Sequence, residues 1–457
     1  MLLNAFENKM RAADLPEVFI DTFGFYFVQL ANGQTGMIAE SDIEPVVSLP
    51  DAEMFAEDLS VVGEQALGKT AVIKLNGGLG TSMGLQAAKS LLPVKQELTF
   101  LDVIAQQVTQ RNVPMLLMNS FNTDADSLQC LAKYDKLTSH NLPLSFLQHK
   151  EPKIQQSDLL PVDWPQNPSL EWCPPGHGDL YTALITSGVL AALLQSGYEY
   201  AFVSNVDNLG AVIDTAVLGY FAKNQAPFMM EVADRTLMDR KGGHLAMRNE
   251  DGQFVLRESA QCPAADQDAF QDISRHKYFN TNNLWLNLLA LKSAMESRNN
   301  RLGLPLIRNS KTVDPRDPAS TPVFQMETAM GSAIGVFAGA QAIRVPRSRF
   351  APVKTTSDLL AVRSDAYRLT EDARIISNSE SGVVVSLDNS YYKFVNDLDA
   401  RFKNGVPSLI NCTSFKIQGD IRFGRNIVCE GEVCLINESE RPVTIPDDTV
   451  LTGTIRY

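Results

Sequence analysis

A glycine-rich segment near residue 80 is the strongest candidate for binding a charged ligand. It runs from Lys74 to Gly84 as KLNGGLGTSMG and follows the apolar, β-branched run TAVIKL, which predicts a buried strand. Glycines tolerate positive φ and allow close backbone approach, so several N–H groups can turn towards one anion. The spacing G-x-G-x-x-x-G differs from the dinucleotide-binding G-x-G-x-x-G, and no acidic residue closes a second strand about 20 residues on. The segment predicts a phosphate-binding loop, with a purely structural turn as the alternative.

A second phosphate-loop pattern lies just upstream. Residues 63–70, GEQALGKT, match G-x-x-x-x-G-K-[ST], but that motif needs a strand before it and a helix after it. Here an acidic, helix-like stretch precedes the motif and the strand-like AVIKL follows it. The order is inverted, so we interpret the match at Lys69 as a coincidence.

Asp207 is a candidate metal ligand. It follows the apolar run AFVSN, at the carboxyl end of a predicted strand. A carboxylate in this position can bind Mg²⁺ together with phosphate oxygens, because Mg²⁺ prefers one or two carboxylates plus phosphates and water. The alternative is an Asx turn between a strand and a helix.

His177 and Gln148 are candidate polar contacts. His177 lies in PPGHGD and has no neighbour at zinc-ligand spacing, so a structural zinc site is disfavoured and a surface-loop histidine is the alternative. Gln148 ends the predicted strand LSFLQ, and its amide offers a donor and an acceptor to a nucleobase edge. On local sequence alone, a solvated glutamine at a strand end is the better explanation.

Basic and amide side chains supply the remaining candidates. Arg347, Arg349 and Lys354 form a basic run in an acidic chain, although charge runs usually form solvated faces. Lys241 precedes a glycine pair and is a weaker candidate. Three asparagines surround a predicted strand, and their amides suit hydroxyl groups and turns equally: Asn280, Asn282 and Asn283.

Alternating strands and helices must position these residues. Apolar runs at 115–119, 144–148, 200–205 and 228–233 predict strands, and residues 99–109 and 179–195 predict helices between them. This alternation implies βαβ units and a mainly parallel sheet, which binds ligands at the carboxyl ends of its strands.

The C-terminal region has a different period. Apolar residues recur every six positions in two interleaved series, Ile417, Phe423, Cys429, Leu435 and Ile421, Ile427, Val433. A six-residue period fits neither a helix nor an ordinary hairpin, and favours a parallel β-helix with one hexapeptide per side. Amphipathic antiparallel strands are the alternative.

Composition narrows the class of protein. The chain has 457 residues with 44% hydrophobic content, which suits a globular protein of about three folding units. A formal net charge of −13 disfavours nucleic acid as a partner. Six cysteines without C-x-x-C spacing predict reduced thiols, and charges near the N-terminus and short apolar runs predict neither a signal peptide nor a membrane span. We therefore expect a cytoplasmic location.

The ordered motifs resemble those of eukaryotic-type UDP-glucose pyrophosphorylases (UTP–glucose-1-phosphate uridylyltransferases). The resemblance runs from about residue 60 to the C-terminus in the order KLNGGLGTSMG, NSFNT, PPGHGD, DNLG, KGGHLA, FNTNNLW, QMETAMGSAI and VPRSRFAPVK. It implies an α/β fold: a Rossmann-like, GT-A-like nucleotidyltransferase domain with a mixed sheet and a C-terminal left-handed parallel β-helix. It also implies formation of UDP-glucose and pyrophosphate from UTP and glucose 1-phosphate, assisted by Mg²⁺.

The resemblance assigns expected roles. Lys89 and Lys354 would be catalytic, and Asp207 would bind the metal. Nucleotide contacts would come from Leu75, Asn76, Gly77, Gly78, Gly80, Thr81, Gln148 and Gly176. Substrate contacts would come from His177, Asn205, Val206, Asp207, Asn280 and Lys241.

Domain limits and two alternatives complete the expectations. We expect a mainly helical segment over 1–60, a catalytic domain over 61–356, a helical linker over 357–403 and the β-helix over 404–457. A broader UDP-sugar specificity and a non-catalytic nucleotide-sugar-binding module remain open, although Thr81-Ser82 stands where UDP-N-acetylhexosamine pyrophosphorylases usually carry an arginine after the threonine. Open strand edges at the end of a β-helix could pair with a second copy unless a capping turn covers them.

Overall fold

A ten-stranded sheet organises the part of the chain that the computed structural model describes, residues 2–379 and 382–457. Its strands, in chain order, are Ile43–Pro45, Thr70–Asn76, Met115–Asn119, Ser145–Leu147, Tyr200–Asn205, Phe228–Asp234, His244–Arg248, Phe254–Arg257, Tyr278–Asn287 and Gln341–Arg344.

One half of this sheet is parallel. Thr70–Asn76 is buried along its whole length because it pairs in parallel with Tyr200–Asn205 on one side and Met115–Asn119 on the other. Ser145–Leu147 extends this half in the same direction. Leu75 lies opposite both Asn205 and Met118, so the carboxyl ends of three strands reach one edge. The predicted strands of this half are confirmed.

The other half departs from the mainly parallel sheet that strand–helix alternation predicted, and it confirms the mixed sheet that the resemblance implied. The long strand Tyr278–Asn287 runs antiparallel to both Tyr200–Asn205 and Phe228–Asp234. The hairpin of His244–Arg248 and Phe254–Arg257 precedes it in the chain. Antiparallel strands need no helical crossover, so strand–helix alternation did not describe this half.

Helices cover both faces of the sheet. The predicted helix after Thr99 is confirmed as Phe100–Arg111, and Thr99 and Asp102 form a capping box at its start. The predicted helix over 179–195 is broken at Gly188, which has a left-handed φ of 75°. The α-helices are Leu2–Ala12, Glu17–Ala31, Glu57–Leu67, Phe100–Arg111, Asp124–Leu131, Leu180–Thr186, Val189–Gln195, Thr215–Asn224, Gln267–Gln271, Leu288–Glu296, Thr356–Arg363, Asn389–Tyr392 and Val395–Arg401.

Smaller sheets contain the remaining strands before the C-terminal region. A three-stranded sheet consists of Ile154–Gln155, Ile307–Thr312 and Pro322–Glu327. The two-stranded pairs are Pro93–Lys95 with Leu98–Thr99, Glu151–Pro152 with Trp172–Cys173, and Tyr367–Leu369 with Ile375–Ser377.

The C-terminal strands are parallel and stacked. Val384–Ser386, Ser408–Gln418, Val428–Ile436 and Val450–Arg456 form one sheet, and Ile421–Phe423 pairs with Val443–Ile445 in a second. All seven members of the two six-residue series are buried. Ile417 lies opposite Leu435, so successive turns of chain place the apolar positions above one another. Antiparallel pairing is therefore excluded for these strands.

In residues 2–379 and 382–457, no single helix combines the length and the apolar content needed to cross a membrane. The bent pair His177–Thr186 and Val189–Gln195 meets that test only when its two parts, at 65° to each other, are counted together.

Candidate active site

The glycine-rich loop leaves the carboxyl end of the central strand Thr70–Asn76. Gly80 and Gly84 adopt left-handed φ values of 66° and 78°, which favour glycine. The Lys89 N–H donates to the Gly78 carbonyl at 3.1 Å and closes the loop, while Gly78 itself faces open space. The loop therefore presents backbone to solvent at the edge where parallel strands bind ligands.

Asp207 lies between two lysines at the same edge. Its Oδ2 accepts from Lys89 Nζ at 2.7 Å and from Lys354 Nζ at 2.9 Å. Asp207 is 7% exposed, whereas the Lys354 side chain is 54% exposed. Burial raises the pKa of the Asp207 carboxyl, but the Lys354 and Lys89 charges outweigh it and lower this pKa overall. The carboxylate is therefore ionised at neutral pH.

Backbone hydrogen bonds place Lys354 beside Asp207. The Val353 N–H donates to the Asp207 carbonyl at 3.0 Å, and the Leu209 N–H donates to the Ala351 carbonyl at 3.2 Å. The Asn208 amide donates to the Arg349 carbonyl and accepts from the Ala351 N–H. The segment after Asp207 and the segment before Lys354 are thus held together over several residues.

The two arginines of the basic run have fixed partners. Arg349 donates to Glu231 through Nε at 2.8 Å and Nη2 at 2.6 Å, and Arg347 donates to Asp239 at 2.8 Å. The solvated-face interpretation is wrong for Arg349, which is 6% exposed. Only Lys354 of this run reaches Asp207.

His177 is held as a neutral imidazole. Its Nδ1 accepts the Met330 N–H at 2.9 Å, so the ring proton must sit on Nε2. Burial, and then the positive charge of Lys354, lower the pKa of His177 to about 4. Gly176 precedes it with φ of 79°, and a Cβ there would lie 2.5 Å from the Thr328 carbonyl oxygen. This glycine therefore allows the His177 turn to pack against Thr328.

Gln148 lies directly beside the glycine-rich loop. Its N–H donates to the Asn119 carbonyl at 2.8 Å, and a Cβ on Gly77 would lie 2.8 Å from its amide. Asn76 ends the central strand below it, buried and donating to Asn119 and Ser127.

Sequence reasoning missed a network behind Gln148. His149 donates its N–H to Asp179 at 2.7 Å, and its Nδ1 lies 2.8 Å from the same carboxylate. The Phe19 ring stacks on the His149 ring at 4.1 Å, with 10° between their planes. This network ties Gln148 to the His177 turn and to the helix Glu17–Ala31. No sequence signal connected Phe19 with the cleft, because the two are distant in the chain.

The antiparallel half of the sheet contributes a second polar wall. Asn280 is buried and its side chain exchanges hydrogen bonds with Asn282. Asn283 instead donates to Glu231 and is structural. Lys241 is exposed at the start of the adjacent loop, and Asn205 and Val206 end the neighbouring strand.

Glu258 was also missed. Burial raises the pKa of its carboxyl, despite a hydrogen bond from Asn280. A Cβ on Gly243 would lie 2.5 Å from Glu258 Oε2, so the glycine pair after Lys241 makes room for this carboxylate. That glycine pair was the available signal.

Among the described residues, no group of three or more His, Cys, Asp or Glu side chains converges as a metal site. A divalent cation at this edge would therefore take Asp207 as its carboxylate and further oxygens from its ligand.

The inverted helix-then-strand order of the upstream phosphate-loop match is confirmed. Gly63 lies inside the helix Glu57–Leu67, and the strand follows it. Lys69 forms an exposed ion pair with Glu199 at 2.8 Å.

A glycine-rich loop and two lysines around one carboxylate, at the carboxyl edge of a mixed α/β sheet, define a nucleotidyltransferase-type site. The sequence profile described as UTP–glucose-1-phosphate uridylyltransferase matches residues 20–430. The UTP–glucose-1-phosphate uridylyltransferase of Solanum tuberosum is 42% identical over 402 residues, covering 85% of this chain and 81% of that protein. That of Saccharomyces cerevisiae is 41% identical over 399 residues, covering 85% and 78%.

Comparison with solved structures indicates the same family. A point mutant of the UDP-glucose pyrophosphorylase from Leishmania major, in complex with UDP-glucose, has a TM-score of 0.92 and 44% identity, covering 100% of this chain and 99% of that chain. The chain belongs to the UTP–glucose-1-phosphate uridylyltransferase family, of the eukaryotic type. Its activity is uridylyl transfer that forms UDP-glucose.

Proposed function

We propose that Lys89, Asp207 and Lys354 form the reaction centre of this transfer. A phosphate oxygen of glucose 1-phosphate attacks the α-phosphorus of UTP, and the bond to pyrophosphate breaks. Both reactants are anionic, so in-line positioning and charge neutralisation supply most of the acceleration. The observation that carries the proposal is the Asp207 carboxylate between two lysine ammonium groups, beside the glycine-rich loop.

The two lysines act as mobile point charges. An ammonium on a four-carbon stem can leave one anion for another, and the exposed stem of Lys354 is free to move. On substrate binding, we expect Lys89 and Lys354 to turn from Asp207 towards phosphate oxygens. There they offset charge on the α-phosphate and the leaving pyrophosphate.

Asp207 would then hold Mg²⁺ together with phosphate oxygens. The donor set fits this ion: one ionised carboxylate without a protein cage suits Mg²⁺, which keeps water and phosphate ligands. When bound, Mg²⁺ supplies Lewis-acid neutralisation of phosphate charge.

The nucleotide side of the cleft would be built by the first half of the sheet. Leu75 and Asn76 end the central strand, and Gly77, Gly78, Gly80 and Thr81 offer backbone N–H groups to the phosphates. Gln148 would read the uracil edge with its amide, and Gly176 would allow close approach of the nucleotide.

The sugar phosphate would lie against the opposite wall. His177 would donate from Nε2 to the phosphate, because its Nδ1 is already occupied by the Met330 N–H. Asn205, Val206 and Asp207 form the strand end below the sugar, and Asn280 and Lys241 would contact its hydroxyl groups. Glu258 adds an acceptor for a sugar hydroxyl beside Asn280.

We propose four units along the chain, with limits at 1–60, 61–356, 357–403 and 404–457, the last a left-handed β-helix. The parallel stacking of Ser408–Gln418, Val428–Ile436 and Val450–Arg456 supports the β-helix.

Pyrophosphate release tests substrate choice. Purified protein with Mg²⁺ should release pyrophosphate from UTP and glucose 1-phosphate, and much more slowly with N-acetylglucosamine 1-phosphate or galactose 1-phosphate, or when ATP replaces UTP. Lys354→Ala should be impaired, and Lys69→Ala is the matched control because Lys69 lies outside the cleft. Comparable rates with every sugar phosphate would overturn the preference for glucose 1-phosphate.

A further inference from the structure

A second cavity of about 450 Å³ lies between the catalytic sheet and the hairpin of Tyr367–Leu369 and Ile375–Ser377. Its floor is the face of the sheet that carries Lys74 and Phe202, and the helix Phe100–Arg111 forms one wall. The loop 209–214, the start of the helix Thr215–Asn224, and the hairpin of Tyr367–Leu369 and Ile375–Ser377 close the other sides. This volume falls in the range of small-molecule sites, roughly 300–1,000 Å³.

The floor of this cavity carries a buried lysine that the transfer reaction does not use. Lys74 is 2% exposed, and its Nζ donates to Ser204 Oγ at 2.7 Å and to the Ala211 carbonyl at 2.8 Å. Both acceptors are neutral. An ammonium has three N–H donors, so one more can be directed to an anion.

The carboxylates near Lys74 and Arg349 already have other hydrogen-bond partners. Arg349 also faces the cavity, and the buried carboxylate of Glu231 is engaged by both of its fork nitrogens. Asp214, on the rim, is 4.0 Å from Arg349 and uses one carboxylate oxygen to cap the helix Thr215–Asn224. Burial, followed by repulsion from Arg349, lowers the pKa of Lys74 to about 7. A bound anion would offset both effects.

Apolar side chains form much of the cavity wall, and Arg111, Asp372 and Arg374 also line it. The space above Lys74 is lined by six apolar side chains, those of Val72, Ile104, Val108, Phe202, Ile213 and Ile375. We propose that this cavity is a regulatory site for a small organic anion, with one carboxylate or sulfonate group at Lys74 and an apolar ring or chain against the walls.

Two short stretches of chain connect the cavity with the reaction centre. Ala211, which accepts from Lys74, lies four residues after Asp207. Arg349 lies five residues before Lys354, and its carbonyl accepts from Asn208 beside Asp207. A ligand that moves the 209–214 loop would therefore shift Asp207 and Lys354, which the proposed function places at the reacting phosphates. The regulatory effect rests on that proposed function, but the binding does not.

Binding of 1-anilinonaphthalene-8-sulfonate tests the site. The full chain is first saturated with UDP-glucose, so that the nucleotide cleft is blocked, and binding is followed by calorimetry. One equivalent should bind, and Lys74→Met and Ile376→Trp should each weaken binding at least tenfold. Ile376 is partly exposed on the hairpin, so its variant should fold even if Lys74→Met does not. Lys69→Met, on an exposed lysine near the start of the same strand, is the control and should bind as wild type.

Equal affinity in wild type, Lys74→Met and Ile376→Trp, or loss of binding on addition of UDP-glucose, would overturn the binding site. For regulation, saturating probe should change kcat at least twofold in wild type and leave kcat unchanged in Ile376→Trp. An unchanged kcat with the probe bound would overturn the regulatory role. Absence of uridylyl transfer without the probe would refute the proposed function instead, and the calorimetric result would still stand.

Discussion

Two carboxylates, Asp207 and Glu231, each face positively charged side chains, but they are held in opposite ways. Glu231 is fully buried, and both its oxygens are engaged by the rigid fork of Arg349, with further donors from Trp285 and Asn283. Within the described part of the chain, the donors to the Asp207 carboxylate are two flexible lysine ammonium groups, and one of the two lysine side chains is half-exposed.

The difference distinguishes a fixed charge from an exchangeable one. A guanidinium that moves away from its carboxylate loses two hydrogen bonds and their bidentate alignment. Arg349 and Glu231 therefore fix the 345–353 segment to the sheet. A lysine can exchange one anion for another at small cost. The fixed Arg349–Glu231 pair therefore positions Asp207 and the lysines that exchange their contacts with it.

The largest expected effect comes from breaking the fixed Arg349–Glu231 pair. Arg349→Met leaves Glu231 buried and unpaired, and should lower the free energy of unfolding by about 3–5 kcal/mol. Denaturant unfolding measures this, and Arg347→Met, at a pair whose arginine is 40% exposed, is the control with a smaller loss. Arg349→Met with wild-type stability would mean that the two centres do not differ in this way.

Lys354→Ala should act on catalysis instead. Loss of one preorganised charge should lower kcat by roughly two to three orders of magnitude, about 3–4 kcal/mol, with little change in KM for glucose 1-phosphate. Lys354→Arg should not fully restore kcat, because a planar fork places its donors differently. Steady-state kinetics measure both. A normal kcat with reduced stability would place Lys354 in the structural class of Arg349.

The pH dependence of stability sharpens the comparison, because the charge of Lys354 also acts on His177. The unfolded chain protonates this histidine near pH 6.5 and the folded chain near 4. Between these values only the unfolded state binds the proton, so stability should fall as pH decreases from 6.5 to 4, by about 1–3 kcal/mol.

His177→Gln should remove this part of the slope, and Lys354→Ala should reduce it. Thermal or denaturant unfolding at several pH values measures the difference from wild type. Identical slopes in wild type and His177→Gln would contradict a neutral, half-buried His177.

Phe19→Leu tests whether a distant segment supports the nucleotide side of the cleft. Loss of the ring that stacks on His149 should cost about 1 kcal/mol and raise KM for UTP roughly fivefold, with a smaller change in kcat. Phe23→Leu, in the same apolar cluster but paired with Phe6 and Phe27, is the control. Equal effects of the two variants would assign Phe19 a packing role only.

The smallest expected effect is at Lys69. Lys69→Ala removes only an exposed ion pair, and kcat should stay within about twofold of wild type. A large loss in the pyrophosphate assay would make the upstream phosphate-loop match functional after all.

The features predicted correctly from the sequence are those that depend on residues close together in the chain. The strand before the glycine-rich loop, the helix capped by Thr99 and the six-residue C-terminal period are patterns of neighbouring residues, and the structure contains them. The antiparallel direction of Tyr278–Asn287 was not predicted, because strand direction depends on how distant segments pair.

The same limit applies to the site. Lys354, Lys89 and Asp207 were named from motifs, but their convergence depends on contacts between residues far apart in the chain. Glu258 was signalled only by the glycine pair after Lys241, and the contact of Phe19 with His149 carried no sequence signal.

The central claim is that Lys89 and Lys354 leave Asp207 when substrate binds. A crystal structure with Mg²⁺ and a non-hydrolysable UTP analogue tests it most directly. The account predicts that both ammonium groups contact phosphate oxygens and that the Asp207 carboxylate contacts the metal. If Lys89 and Lys354 both remain hydrogen-bonded to Asp207 in that complex, as they are here at 2.7 and 2.9 Å, the exchangeable centre is contradicted.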